Sequence, residues 1–137
     1  MSDPAEALAR AALQLVGTPF RLHGRDPRTG LDCVGLVSAS LAAIGRPAAA
    51  PRRYALRNSD IAAALGFAAR AGFGETFGPE RPGDLLLVRP GALQQHLLIA
   101  GHGGLFIHAH AGLRRVVATP GPPVWPVERH WRLAPTA

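Results

Sequence analysis

Residues 31 to 45 read LDCVGLVSASLAAIG, a run bounded by an acidic residue near one end and a glycine at the other. Val34, Val37, Leu41 and Ile44 fall on one face of a helix of 3.6 residues per turn, Asp32 precedes the run as an N-cap, and Gly45 stops it. The spacing predicts a buried helix with Cys33 in its first turn. Free backbone N–H groups and the helix dipole favour negative charge there, so Cys33 is expected to ionise below the ordinary thiol range. The same N–H groups would also face the oxyanion of a tetrahedral intermediate.

Working outward, Asp3, Pro4 and Glu6 read as an N-cap, a proline at the first helical position and a reciprocal capping carboxylate. Leu8, Ala11, Ala12 and Leu15 follow at helical spacing, and Gly17 ends that helix. Residues 18 to 31 (TPFRLHGRDPRTGL) hold two prolines and two glycines without a period, which predicts an ordered loop. After the basic connection 46 to 58, Ser59 and Asp60 open an Ala-rich helix that stops at Gly72. A turn-rich stretch covers 72 to 83. Short β-type runs then follow at 84–88, 96–100, 105–108 and 114–117, separated by Gly or Pro signals as in an antiparallel meander. The tail 120–137 carries Pro120, Pro122, Pro123 and Pro126 around Trp125, with Trp131 beyond. Its prolines predict a segment that wraps a sheet edge rather than a central strand. Helices first and strands later predict an α+β domain with segregated layers, one domain over residues 1–137.

Composition narrows the function classes. At 137 residues the chain has room for one core and not for two catalytic domains. A lone cysteine excludes an internal disulfide framework and any zinc site built on two or more sulfurs. No apolar run reaches the roughly 20 residues of a membrane span. The start Met1-Ser2-Asp3-Pro4-Ala5-Glu6 lacks the basic and apolar regions of a signal peptide, so synthesis in the cytoplasm without a leader is expected. The net charge of +6 comes entirely from arginine over acid, since no lysine is present, and it favours anionic partners without choosing among them.

A thiol nucleophile needs a base, and His23, His96, His102, His108, His110 and His130 are the candidates. His96 opens one predicted strand and His108 lies on the next, so adjacent antiparallel strands can bring their rings together. His96 would take the proton of Cys33 and His108 would orient His96, following the logic of a catalytic triad.

Two blocks of the chain, GTPFRLHGRDPRTGLDCVGLV at 17–37 and PGDLLLVRPGALQQHLLIAGHGGLFIHAHAGLRRVV at 82–117, resemble the NlpC/P60 cysteine peptidases. The first carries a Pro-aromatic pair, a Gly, and Gly-x-Asp-Cys-x-Gly-Leu. The second carries Pro-Gly-Asp-Leu, a strand-borne His, and Ile-His-Ala with its His twelve positions later. The resemblance implies a papain-like α+β core, Cys33 as nucleophile, His96 as base, His108 as orienting residue, and no cofactor. It implies amide-bond hydrolysis in bacterial cell-wall stem peptides, commonly after D-γ-glutamyl next to diaminopimelate or lysine. Phe20, Asp32 and Val34 align with substrate-contacting positions. Phe20 stands where the family usually has Tyr and Val34 where it usually has Ser, while Asp32 is expected to cap the helix rather than react. Arg21, His23 and Arg25 are alternative polar contacts. Small size and the missing leader are most like the NlpC/P60 proteins of phage tails and gene transfer particles, which implies tail or baseplate proteins as partners and action in the periplasm or wall after the particle docks.

Three rival readings stand beside this one. His96, His108 and His110 could bind zinc in a metal hydrolase. The chain could be a non-catalytic tail component that keeps the fold. Arg52-Arg53 and Arg114-Arg115 could mark a nucleic-acid site, although the arginines are scattered, no recognised binding motif is present, and no nucleic-acid partner is expected.

Overall fold

The computed structural model describes residues 3–48, 61–92 and 94–135. Three helices, α1 (Pro4–Gln14), α2 (Cys33–Ala43) and α3 (Ile61–Ala71), precede most of the strands. A two-residue ladder of β1 (Arg25–Asp26) and β2 (Gly30–Leu31) interrupts the loop after α1. The main sheet comprises β3 (Phe73–Glu75), β4 (Leu85–Gly91), β5 (Gln94–Ala100), β6 (Leu105–His110), β7 (Arg115–Pro120) and β8 (Val127–Leu133). All its pairings are antiparallel, in the order β3-β8-β4-β5-β6-β7. This is the α+β architecture the sequence predicts, with β4 to β7 as the meander.

Local chemistry explains the helix limits. Asp3 accepts a hydrogen bond from the Ala5 N–H and Pro4 stands in the first turn of α1. Glu6 points toward His102 at 4.0 Å. The α1 helix ends at Gln14 and its closing turn finishes at Gly17, while Gly45 and Gly72 follow α2 and α3 with left-handed backbone. The predicted start of α3 at Ser59 and Asp60, and most of the 46–58 connection, lie outside the described residues.

The tail departs from expectation. Residues 127–133 form β8, which sits inside the sheet between β3 and β4 rather than along an edge. The prolines stop at Pro126, and the seven residues after it alternate toward the core and away from it, so the proline density of 120–126 says nothing about them. A second departure is β3, within the stretch expected to hold only turns. Its three residues are too few to show a period.

Two apolar clusters sandwich the sheet. On one side Leu8 and Ala12 of α1, Leu36, Val37 and Leu41 of α2, and Phe67 of α3 pack on Leu85, Leu87, Leu97, Ile99, Ile107 and Trp131. On the other, Leu86, Val88, Leu98, Ala100 and Phe106 are covered by Trp125. Both tryptophans thus pack on this domain's own sheet, one of the two readings the tail's sequence allows, the other being docking on a tail protein.

Asp84 fastens β8 into place. Its fully buried carboxylate accepts from the Arg81 N–H (3.0 Å), from His130 Nε2 (2.6 Å) and from the Arg132 guanidinium at 2.9 and 2.8 Å. Burial pushes its pKa up, but Arg132, the Arg81 N–H and His130 outweigh burial and hold it below the usual carboxylate value. The preceding Gly83 has φ +91, and a Cβ there would lie 1.8 Å from the Ala5 carbonyl oxygen, so only glycine lets α1 approach this turn. Asp84→Ala is expected to cost about 3 kcal/mol in urea unfolding because it leaves the Arg132 guanidinium and the His130 ring without their shared buried carboxylate. Asp26→Ala, which removes an exposed pair with Arg28, should leave the urea midpoint unchanged.

Candidate active site

The first turn of α2 is built around Asp32. Its Oδ1 accepts from the Gly35 N–H (2.8 Å), its Oδ2 accepts from the His23 N–H (2.8 Å), and Arg25 pairs with it at 3.1 Å. The capping role expected of Asp32 is present, and the same carboxylate ties the loop of 18–31 to the helix. Gly35 makes room for that loop, since a Cβ there would come within 1.9 Å of the Gly24 carbonyl oxygen. Arg25 is thereby engaged with Asp32, while His23 and Phe20 line the cleft that opens above the turn.

That cleft, about 600 Å³ in volume, is walled by Phe20, Leu22 and His23 from the loop, by Gln94, Gln95 and His96 from β5, by Ala109 to Gly112 at the β6–β7 turn, and by Trp125. Asp32 and Cys33 belong to its lining. Val34 does not. As the second residue of α2 it turns into the core at 2% exposure, which corrects its assignment as a substrate contact. A side chain one residue beyond the nucleophile points along a different helical direction, and here that direction meets the sheet.

Cys33 is buried, and the backbone N–H groups of Leu97, Val34 and Cys33 itself act on its thiol in the direction that favours the thiolate. The Leu97 contact sets the sulfur against β5 at the residue after His96. Burial pushes the thiol up to about 12, the neighbouring Asp32 carboxylate adds to the rise, and the three N–H groups recover only part of it. The expectation of a thiolate at the helix start is therefore corrected: the predicted N–H groups are there, but desolvation and the cap's own charge outweigh them.

The two imidazoles meet as the sequence predicts. His96 Nε2 lies 3.0 Å from His108 Nδ1, with the ring planes at 79°. His108 Nε2 lies 3.2 Å from Thr119 Oγ1. Trp125 stands edge-on to both rings at 5.9 and 6.0 Å. Burial first, then the neighbouring rings of His108 and His110, push His96 down to about 3. Burial and then His110 push His108 down to about 4. All three shifts favour the uncharged forms of Cys33, His96 and His108 at neutral pH.

His110 was a candidate zinc ligand together with His96 and His108. Its ring centre is 5.7 Å from that of His108, and its Nδ1 accepts from the Leu113 N–H. Among the described residues no group of three or more His, Cys, Asp or Glu side chains is placed to hold a metal ion. Of the arginines read as a nucleic-acid site, Arg52 and Arg53 lie outside the described residues. Arg28, Arg89, Arg129 and Arg132 pair with carboxylates of the chain.

Three site residues escaped the sequence reading. Thr119 and Trp125 reach the imidazoles only through strand register and a chain reversal. Gln95 is buried in the cleft wall and gives its Nε2–H to Glu128 (3.1 Å), which also holds Arg89. Its adjacency to His96 was the one signal available.

Comparison with known proteins gives a consistent result. The model of the NlpC/P60 family matches residues 17–128. No curated protein matches the chain. Among solved structures, NlpC1 from Trichomonas vaginalis superposes with a TM-score of 0.70 at 19% identity, covering 96% of this chain and 45% of that one. The NlpC/p60 domain of the peptidoglycan hydrolase SagA superposes with a TM-score of 0.59 at 27% identity, covering 87% and 90%. The P60 domain of antigen MAP1204 from M. avium subspecies paratuberculosis gives 0.62 at 19% identity, covering 98% and 96%. The chain spans a little under half the length of the two T. vaginalis proteins it matches.

Two measurements check the electrostatics. Alkylation of Cys33 by iodoacetamide should stay slow through neutral pH and rise only toward pH 12, whereas a fast phase below pH 8 contradicts a neutral buried thiol. Folding stability should fall as pH drops from about 6.5 toward 3, because the unfolded chain protonates His96 and His108 first and the folded chain resists until about 4 and 3. His96→Gln should flatten that acid limb in urea titrations.

Proposed function

Because the chain belongs to the NlpC/P60 family, we propose that it is a cysteine peptidase that hydrolyses amide bonds in peptidoglycan stem peptides. The observation that carries this reading is that His96 lines the cleft that Cys33 also lines at a helix start, and is hydrogen-bonded to His108 behind it. A scaffold that merely kept the fold would not need a half-buried imidazole in the same cleft as its single thiol, bonded to a second, buried imidazole.

In this reading Cys33 Sγ attacks the scissile carbonyl carbon, its proton passes to His96 Nδ1, and the carbonyl electron pair moves to oxygen. His96 Nε2 is engaged with His108, so Nδ1 is the ring nitrogen left for this transfer. Backbone N–H groups at the start of α2 face the developing oxyanion. His96 then gives the proton to the leaving amine as the C–N bond breaks, which leaves an acyl-enzyme that water hydrolyses by the same proton route. Because the resting thiol is held in its neutral form, the proton passes to His96 in the course of substrate attack. Substrate binding favours this by filling the cleft and excluding water from both partners.

The proposal extends to the bond and the setting. The resemblance to small NlpC/P60 proteins of phage-like particles points to the D-γ-glutamyl–diaminopimelate bond, a tail or baseplate protein as partner, and action at the wall of a recipient cell. The structural likeness to SagA and to RipB from Mycobacterium tuberculosis, both peptidoglycan hydrolases, supports the substrate class. Phe20 lines the cleft where family members usually offer a hydroxyl, so substrate is held there by apolar contact.

Incubation of the purified protein with sacculi, followed by mass identification of released fragments, tests this directly. Fragments with new D-glutamate and diaminopimelate ends are expected. Cys33→Ala should lower their release by at least about a thousandfold while the protein stays folded. Release that survives this substitution sinks the mechanism.

A further inference from the structure

We infer that Thr119 is a positioning residue of this site: its hydroxyl accepts the Nε2 proton of His108 and thereby keeps His96 in the tautomer able to take a proton from Cys33. The inference rests on the peptidase reading above and adds a fourth member to its hydrogen-bonded chain.

A neutral imidazole carries one proton on one nitrogen. With His96 Nε2 at 3.0 Å from His108 Nδ1, and His108 Nε2 at 3.2 Å from Thr119 Oγ1, only two arrangements satisfy every contact. In the first, His96 donates from Nε2 to His108 Nδ1, and His108 donates from Nε2 to Thr119. His96 Nδ1 is then a bare lone pair, ready for the thiol proton. In the second, Thr119 donates to His108 Nε2, His108 donates from Nδ1 to His96 Nε2, and His96 carries its proton on Nδ1, where it blocks the thiol. Only the first is productive. It is also the only one that survives proton transfer, because an imidazolium His96 must donate from both nitrogens.

The placement of Thr119 follows from strand register. His108 pairs with Val117 across β6 and β7, and Thr119 is the next residue of β7 on the same face. Its β-branched side chain has few rotamers, which holds Oγ1 beside the far nitrogen of the ring. The small cavity on that side is lined by Leu98, Phe106, Pro122 and Trp125, and no carboxylate lines it. The titratable groups facing His108 are therefore His96 and His110. With Thr119 removed, a proton on His108 Nε2 would lose the hydroxyl that accepts it in a cavity walled mainly by apolar side chains, with His110 the one other polar ring, so it would move to Nδ1 and turn the chain into its unproductive arrangement.

Ring nitrogen shifts from ¹⁵N-histidine-labelled full-length protein test this without turnover. In the native protein His108 should show protonated Nε2 and bare Nδ1. In Thr119→Val the Nδ1-protonated form should appear, and kcat on a stem peptide should fall about tenfold to a hundredfold with KM changed less than about twofold, as for other residues acting through a hydrogen-bonded histidine. Thr119→Ser should restore both. A native His108 protonated on Nδ1 overturns the inference even if the valine variant fails to fold. So does a valine variant with unchanged tautomer or unchanged kcat. Native protein that shows the expected tautomer but cleaves no stem peptide overturns the peptidase reading instead.

Discussion

The seating of the first turn of α2 against β5 is the constraint on which the site depends. Asp32 closes that turn by accepting from Gly35, holds the loop through the His23 N–H and Arg25, and leaves Cys33 pressed to the Leu97 N–H. Each contact serves a different layer: the helix, the cleft wall and the reacting sulfur. The glycines at 24 and 35 let the loop and the helix approach more closely than any side chain would permit. Because the turn is held from three directions, the sulfur has little freedom relative to the strand that bears His96, which is what preorganised chemistry requires.

The same seating sets the electrical character of the site. A helix start alone favours a thiolate, but the close fit that fixes the sulfur also strips it of water, and the cap that ends the helix is itself an anion one residue away. The imidazoles are treated alike: covered by Trp125 and by one another, they lose their charged forms. Thiol and imidazoles are therefore pushed in opposite directions, and both shifts favour the uncharged pair.

Much of this was legible in the residues. The cap at Asp32, the apolar spacing after it and the glycine at 45 specified α2 and put Cys33 at its start, and the alternating runs located β4 to β7 to within a few residues. His96 and His108 were visible because antiparallel neighbours must come together. What was not legible depends on distant partners. The strand β8 was masked by the prolines before it, and its place in the sheet comes from Asp84, some fifty residues away in sequence, gripping His130 and Arg132. Thr119 needs the register of β6 with β7, Trp125 needs the tail's reversal over the second face, and the raised thiol needs a burial that no local pattern displays.

The insertion of β8 between β3 and β4 carries a consequence for the order in which the chain matures. On the ribosome, the helices, the meander and both imidazoles emerge before residues 127–133, so β8 can pair with β4, and bring His130 and Arg132 to Asp84, only after the rest of the sheet has been made. Closing the sheet is therefore a late and nonlocal contact rather than one that builds up as the chain lengthens.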